Sequence, residues 1–268
     1  MKVYKFGGTS VGSPERMKEV SRLITEDGES KIVVLSAMSG TTNSLVEIAD
    51  YLRKGNPEGA SNMVNRLHNI YKQHLPLLYT NEETTNRVRE RLDNLFLQLH
   101  EFRTREFSES DEKAILAQGE IMSTNMVTEY LKECGVKAIL LPALDYMRLD
   151  PNGEPDLPYI RERLSYLLEK NPNYDIYITQ GFICRNAEGQ IDNLQRGGSD
   201  YTASLIGAAI RASEIQIWTD IDGMHNNDPR FVEGTTPVRQ LSFEEAAELA
   251  YFGAKILHPT CVQPARYA

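Results

Sequence analysis

Lys2-Val3-Tyr4-Lys5-Phe6-Gly7-Gly8-Thr9-Ser10-Val11-Gly12-Ser13-Pro14-Glu15 sets the architecture of this chain. Five alternating residues form a short strand. A glycine-rich loop follows, and then a helix start with Ser13 as N-cap and Pro14 at the first helical position. The same unit recurs. Lys31–Leu35 is an apolar, β-branched strand, and Ser39-Gly40-Thr41-Thr42-Asn43 feeds a second helix. Strand–loop–helix repeats predict a parallel sheet with helices on its faces. From about 56 to 134 the strand signal stops. Leu92, Leu95, Phe96 and Leu99 recur at helical spacing, and Ser108-x-x-Asp111 reads as a capping box. This section is expected to be a helical insert that returns to the sheet. Further strands are expected at Val136–Leu140, Asp175–Thr179 and Ile215–Trp218, with a hairpin of Gly181–Cys184 and Gln190–Asp192. Helices are expected over Ser199–Ala212 and after a Ser242-x-x-Glu245 cap.

The 268 residues suit one large α/β domain or two lobes sharing a core. No stretch approaches the roughly 20 apolar residues that span a bilayer, and the first strand is not a signal peptide. A net charge of −9 without a Lys/Arg run argues against nucleic acid as a partner. Cys134, Cys184 and Cys261 are odd in number and widely spaced, so neither a disulfide framework nor a zinc site is expected. They read as core fillers in a protein of the reducing cytoplasm. His68 and His74 lack the spacing of a metal pair, and Arg87, Arg89 and Arg91 read as a solvated helix face.

Five stretches carry chemistry, each with a plainer alternative. Gly7 and Gly8 at a strand-to-helix turn let backbone N–H groups approach an anion, the helix dipole adds positive potential, and Lys5 adds a full charge. These features suit a phosphoryl group in transit, and a structural turn with a surface lysine suits them equally. The loop is no Walker A motif, because Ser13-Pro14 stands where Lys-Ser/Thr is required. Arg196-Gly197-Gly198-Ser199-Asp200 repeats the glycine–hydroxyl–helix design. Its Arg and Asp form a clamp for a zwitterion, or Ser199 is simply an N-cap. Trp218-Thr219-Asp220-Ile221-Asp222-Gly223 and Asp228-Pro229-Arg230 follow a strand's C-terminal end, where open sheets bind ligands. The alternative is an Asp-Gly turn. Gln118-Gly119-Glu120 puts a glycine inside a helix at a cost of about 1 kcal/mol, which implies close backbone approach beside Glu120 or a tolerated glycine with an exposed Glu. Phe252-Gly253-Ala254-Lys255 places a lysine after a glycine, as a phosphate contact or as a solvated C-cap.

Together these stretches, with Ser36–Asn43 and the run to Pro259, resemble the aspartate kinases of the amino-acid kinase superfamily along nearly the whole chain. Sibling kinases share the Lys-x-Gly-Gly start but lack the Arg-Gly-Gly-Ser-Asp-Tyr-Thr-Ala and Phe-Gly-Ala-Lys-x-Leu-His-Pro runs. The resemblance implies a three-layer αβα sandwich around a mostly parallel sheet of about eight strands. It implies an amino-acid lobe over about 1–195, with the insert at about 56–134, and a nucleotide lobe over about 196–268. The implied reaction moves the ATP γ-phosphoryl, with Mg²⁺ carried on the nucleotide, to the side-chain carboxylate of L-aspartate, ahead of lysine, threonine and methionine. By resemblance, Lys5 bridges the phosphoryl, Gly7 and Gly8 donate backbone hydrogen bonds, and Asp200 completes the catalytic set. Ser36, Thr42, Glu120, Arg196, Ser199 and Asp200 hold the substrate, with Asp200 at its amino group and Arg196 at a carboxylate. Thr219, Asp220, His225, Arg230 and Lys255 surround ATP, and no residue is assigned to a resident metal. Gln195 replaces a usual Gly, His225 a Tyr and Asn226 a Thr. The family continues into paired ACT regulatory domains, so the chain reads as a C-terminally truncated fragment of a homo-oligomeric parent. A sibling kinase with another carboxylate acceptor, or a binding module without turnover, remains an alternative.

Overall fold

The computed structural model describes residues 1–194, 197–220, 223–227, 231–251 and 259–266. Five strands make one parallel sheet. They are β1 (Lys2–Phe6), β2 (Lys31–Leu35), β3 (Ala138–Leu140), β4 (Ile176–Gln180) and β7 (Glu214–Trp218), in the order β3-β4-β2-β1-β7. A separate antiparallel hairpin joins β5 (Ile183–Arg185) to β6 (Ile191–Asn193). The resemblance implied about eight strands in the sheet; five are seen among the described residues.

Strand alternation separates two cores. Tyr4 and Phe6 of β1, Val33 and Leu35 of β2, and Ile176 and Ile178 of β4 face one side. There they meet α1 (Pro14–Thr25), α2 (Thr41–Arg53), α3 (Pro57–Leu78), α4 (Glu82–Glu101) and α5 (Glu109–Glu133). Val3, Ile32, Val34 and Tyr177 face the other, where α6 (Leu157–Lys170) and α7 (Gly198–Ile210) pack. A period of two along each strand thus dictates three layers. The helices α8 (Phe243–Tyr251) and α9 (Pro259–Arg266) follow β7, and α9 lies against α7.

The expected helix starts are built by their own residues. Ser13 Oγ accepts from Arg16 N, Ser108 and Asp111 form the reciprocal box, and Ser242 and Glu245 form another. Arg87, Arg89 and Arg91 are exposed, as expected of a solvated helix face; in addition Arg87 pairs with Glu129 at 2.9 Å and Arg91 donates to Asn125 at 2.6 Å, which ties α4 to α5. One expectation is corrected. Cys134 is no core filler. It is exposed at the C-terminus of α5, whereas Cys184 and Cys261 are buried. No helix among the described residues is long and apolar enough to cross a membrane.

Candidate active site

The C-terminal ends of β1, β2 and β4 open on a common crevice. Gly7 and Gly8 leave β1 there, with carbonyls accepting from Ser10 N (3.0 Å) and Ser39 N (3.1 Å). Gly8 is required by contact, because a Cβ on it would stand 2.9 Å from the Ala37 carbonyl oxygen. Lys5 Nζ lies over this turn, 3.4 Å from where a Gly7 Cβ would be, and pairs with Asp200 at 2.7 Å. Both partners are largely buried.

Next to the turn is a cavity of about 270 Å³. It is lined by Gly8, Ser36–Gly40, Thr42, Glu120, Phe182 and Ser199. Glu120 comes from the middle of α5. Its placement depends on Gly119, where a Cβ would meet that of Ala37 at 2.7 Å. The close approach lets Ala37 N donate to Glu120 Oε1 at 3.1 Å. The second oxygen, Oε2, is buried with no hydrogen-bond partner. Burial pushes the Glu120 carboxyl up to about 7, against the opposing pull of the Ala37 N–H. Ser123 Oγ, one turn on, donates to the Ser36 carbonyl at 2.8 Å and ties α5 to the end of β2.

Two helices begin at this crevice without side-chain caps. The N-cap of α2 is Gly40 at φ 81° and that of α7 is Gly197 at φ 84°. By contrast α1, α3, α4, α5 and α6 are capped by Ser13, Asn56, Asn81, Ser108 and Asp156. Thr41 N and Asp200 N donate to the Met38 and Gly197 carbonyls at 3.0 and 2.8 Å, and no side chain caps the other first-turn N–H groups of α2 and α7, those of Thr42 and Ser199 at the cavity among them. Ser199 is not an N-cap; it sits inside the first turn of α7 and accepts from Ser36 Oγ at 2.9 Å.

The structure therefore brings together Lys5, Gly7, Gly8, Ser36, Thr42, Glu120, Ser199 and Asp200 of the expected residues. Thr219 and Asp220 lie just past β7, exposed, with Thr219 Oγ1 donating to Asp220 at 3.2 Å. His225 is mostly buried in the following loop, its Nδ1 2.9 Å from Thr235 Oγ1. Gln195, Arg196, Asp222, Asp228, Arg230 and Lys255 lie outside the described residues. Among the described residues no group of three or more His, Cys, Asp or Glu side chains is arranged to hold a metal.

Phe182 was missed by sequence reasoning. It follows Gly181 at the end of β4 with φ 69°, an uncommon conformation for a bulky residue. Thr202 Oγ1 accepts from its N–H at 3.0 Å, its carbonyl accepts from Leu194 N at 2.7 Å, and a Cβ on Gly198 would clash with its ring. A residue just past a parallel strand's C-terminal end is the one available signal.

Comparison with known proteins agrees with this geometry. Residues 1–268 match the amino acid kinase family. The chain is 35% identical over 266 residues to lysine-sensitive aspartokinase 3 of Escherichia coli, covering 98% of this chain and 58% of the relative. It is 37% identical over 281 residues to chloroplastic aspartokinase 1 of Arabidopsis thaliana, covering 98% and 48%. It thus spans about half the length of these relatives. The crystal structure of E. coli aspartokinase III in complex with aspartate and ADP superposes with a TM-score of 0.88 at 34% identity, over 100% of this chain and 60% of that one. A uridylate kinase from Archaeoglobus fulgidus, at 15% identity and a TM-score of 0.51, shares the fold alone. The full-length match, the parallel sheet and the glycine turn under Lys5 agree: the chain belongs to the amino acid kinase family.

Proposed function

We propose that the chain phosphorylates the side-chain carboxylate of L-aspartate from ATP, giving aspartyl phosphate and ADP. The observation that carries this reading is the cavity's charge pattern. One buried carboxylate with a free oxygen, Glu120 Oε2, shares a small space with two open helix N-termini. A ligand with one ammonium and two anionic ends answers all three features. Glu120 then takes the ammonium in place of Asp200, which is engaged by Lys5. Thr42 and Ser199, at the starts of α2 and α7, meet the carboxylates, with Ser36 holding Ser199 in place. Arg196 adds a cation for a carboxylate. The aspartate and ADP bound to the E. coli relative support the same ligand pair here.

An attacking carboxylate carries its own lone pair, so no general base is needed. One of its oxygens displaces ADP at the γ-phosphorus as the new P–O bond forms. What remains is positioning and charge neutralisation. Lys5 sits where the transferring group must pass, between the Gly7-Gly8 turn and the cavity, and Asp200 aims it. The glycine N–H groups donate to the phosphoryl oxygens. Mg²⁺ would arrive on the nucleotide and supply further charge neutralisation between phosphate oxygens. Thr219, Asp220, His225, Arg230 and Lys255 are assigned to the nucleotide, in a lobe of about 196–268 beside an acceptor lobe of about 1–195.

The wider setting is inferred from the relatives. One is named lysine-sensitive and others are bifunctional with homoserine dehydrogenase, which supports a role at the head of lysine, threonine and methionine synthesis. A cytoplasmic location is consistent with three free cysteines, and a homo-oligomeric parent belongs to the same proposal. A substrate panel tests the reading: ADP release with aspartate should exceed that with glutamate or acetylglutamate, and the reverse order would replace it with a sibling activity.

A further inference from the structure

Helix α3 of the insert reaches the start of α2 through the Tyr71 side chain. Tyr71, on α3, is fully buried, and its phenol lies 3.0 Å from Thr41 Oγ1. Thr41 is the first residue of α2, directly after the left-handed Gly40, and is itself buried. The Tyr71 ring meets Phe96 edge-on at 5.6 Å, within an apolar cluster. Burial holds the phenol far above its usual pKa, so it remains a neutral hydroxyl. On its other side, Thr41 Cγ2 lies 3.4 Å from where a Gly119 Cβ would stand. Tyr71, Thr41, Gly119 and Glu120 thus form a chain of neighbours from the insert to the cavity.

This bond does not earn its place through stability alone. A neutral pair in an apolar core can be replaced by apolar groups of the same shape at little cost. Its distinctive property is direction. Threonine is stiff at χ1, so holding its hydroxyl fixes the first residue of the helix. That residue stands directly before Thr42, which lines the cavity. We infer that Tyr71 is a positioning residue for the acceptor: through Thr41 it fixes the start of α2 so that the open N–H groups there face the substrate carboxylate. This rests on the reading of the cavity as an aspartate site. Tyr71 itself touches no substrate.

The test compares the whole chain with Tyr71→Phe, Thr41→Val, the double variant and Thr41→Ser. Calorimetry gives aspartate affinity, steady-state kinetics give KM for aspartate and for ATP, and thermal melting gives stability. Tyr71→Phe and Thr41→Val are each expected to weaken aspartate about tenfold, the scale of one lost hydrogen bond. The KM for ATP and the kcat at saturating aspartate should hold. The double variant should lose no more than either single one, since both remove one bond. Thr41→Ser keeps the hydroxyl and should bind nearly as the parent does. Unchanged aspartate affinity in folded Tyr71→Phe or Thr41→Val, whatever the melting temperature does, overturns the inference, as does a Thr41→Ser defect equal to that of Thr41→Val. Should Tyr71→Phe not fold, the Thr41→Val and Thr41→Ser pair carries the same comparison. A parent chain that binds no aspartate overturns the reading of the cavity and this inference with it. A parent that binds aspartate beside indifferent variants overturns only the role of Tyr71.

Discussion

Glu120→Gln should make the protein more stable and worse at binding aspartate. Folded Glu120 holds its proton to a pH of about 7, whereas an unfolded chain releases it near 4.5. Between those values the folded state binds more protons than the unfolded one, so the parent loses stability as pH rises. Above 7 the loss levels off, at about 3 kcal/mol for a carboxylate ionised in that cavity. Gln keeps an oxygen for the Ala37 N–H and does not titrate. The stability of Glu120→Gln relative to the parent should therefore climb from pH 4.5 to pH 7, approach about 3 kcal/mol and then stay flat. Urea unfolding at pH 4.5, 6 and 8 measures this difference, and comparison with the parent cancels the other titrating groups. Binding should move the opposite way. Losing a charged partner for the ammonium costs about 2 to 3 kcal/mol, so aspartate should bind roughly a hundredfold more weakly. A stability difference that does not change with pH, or an unchanged affinity, would refute the assignment of Glu120 as the buried, substrate-facing charge.

Other outcomes follow from the same geometry. Aspartate binding to the parent near pH 6 should release a proton, because the incoming ammonium draws Glu120 into its charged form. Calorimetry in two buffers of different ionisation enthalpy measures the release, and Glu120→Gln should show none. Lys5→Ala should lower kcat by at least about a hundredfold, as removal of a charge-stabilising donor does elsewhere. Its far-ultraviolet circular dichroism should remain that of the parent; undiminished turnover would remove Lys5 from the reaction. Gly119→Ala places a methyl 2.7 Å from the Ala37 Cβ. It should cost about 1 to 3 kcal/mol by overpacking, and should weaken aspartate by moving the N–H that holds Glu120.

Much of the fold was legible because the strands are short, apolar and alternating, and the helix starts are written in their own caps. Ser13, Ser108 and Ser242 cap as their spacing implies. Two helices lack such a signal: Gly40 and Gly197 take the N-cap positions of α2 and α7, and only the structure shows that both helices begin at one cavity. Gly119 was readable as a close approach, because a helix tolerates such a residue at a cost. The partner it approaches, Ala37, lies 82 positions away, and no local pattern reveals that. The same holds for Arg87 and Arg91, whose spacing suits solvent but whose partners, Glu129 and Asn125, come from another helix. Asp200 was expected at an amino group; its pairing with Lys5 at 2.7 Å is a tertiary fact that no local pattern reveals, and it is the reason the proposed function gives that task to Glu120.

The central claim is that this cavity transfers a phosphoryl group to a carboxylate. Hydroxylamine traps acyl phosphates, so the most direct measurement is aspartyl hydroxamate formed from the chain with Mg-ATP and L-aspartate. The account predicts product with the parent chain and none above background with Lys5→Ala. A folded parent chain that binds aspartate and nucleotide yet yields no hydroxamate would contradict it.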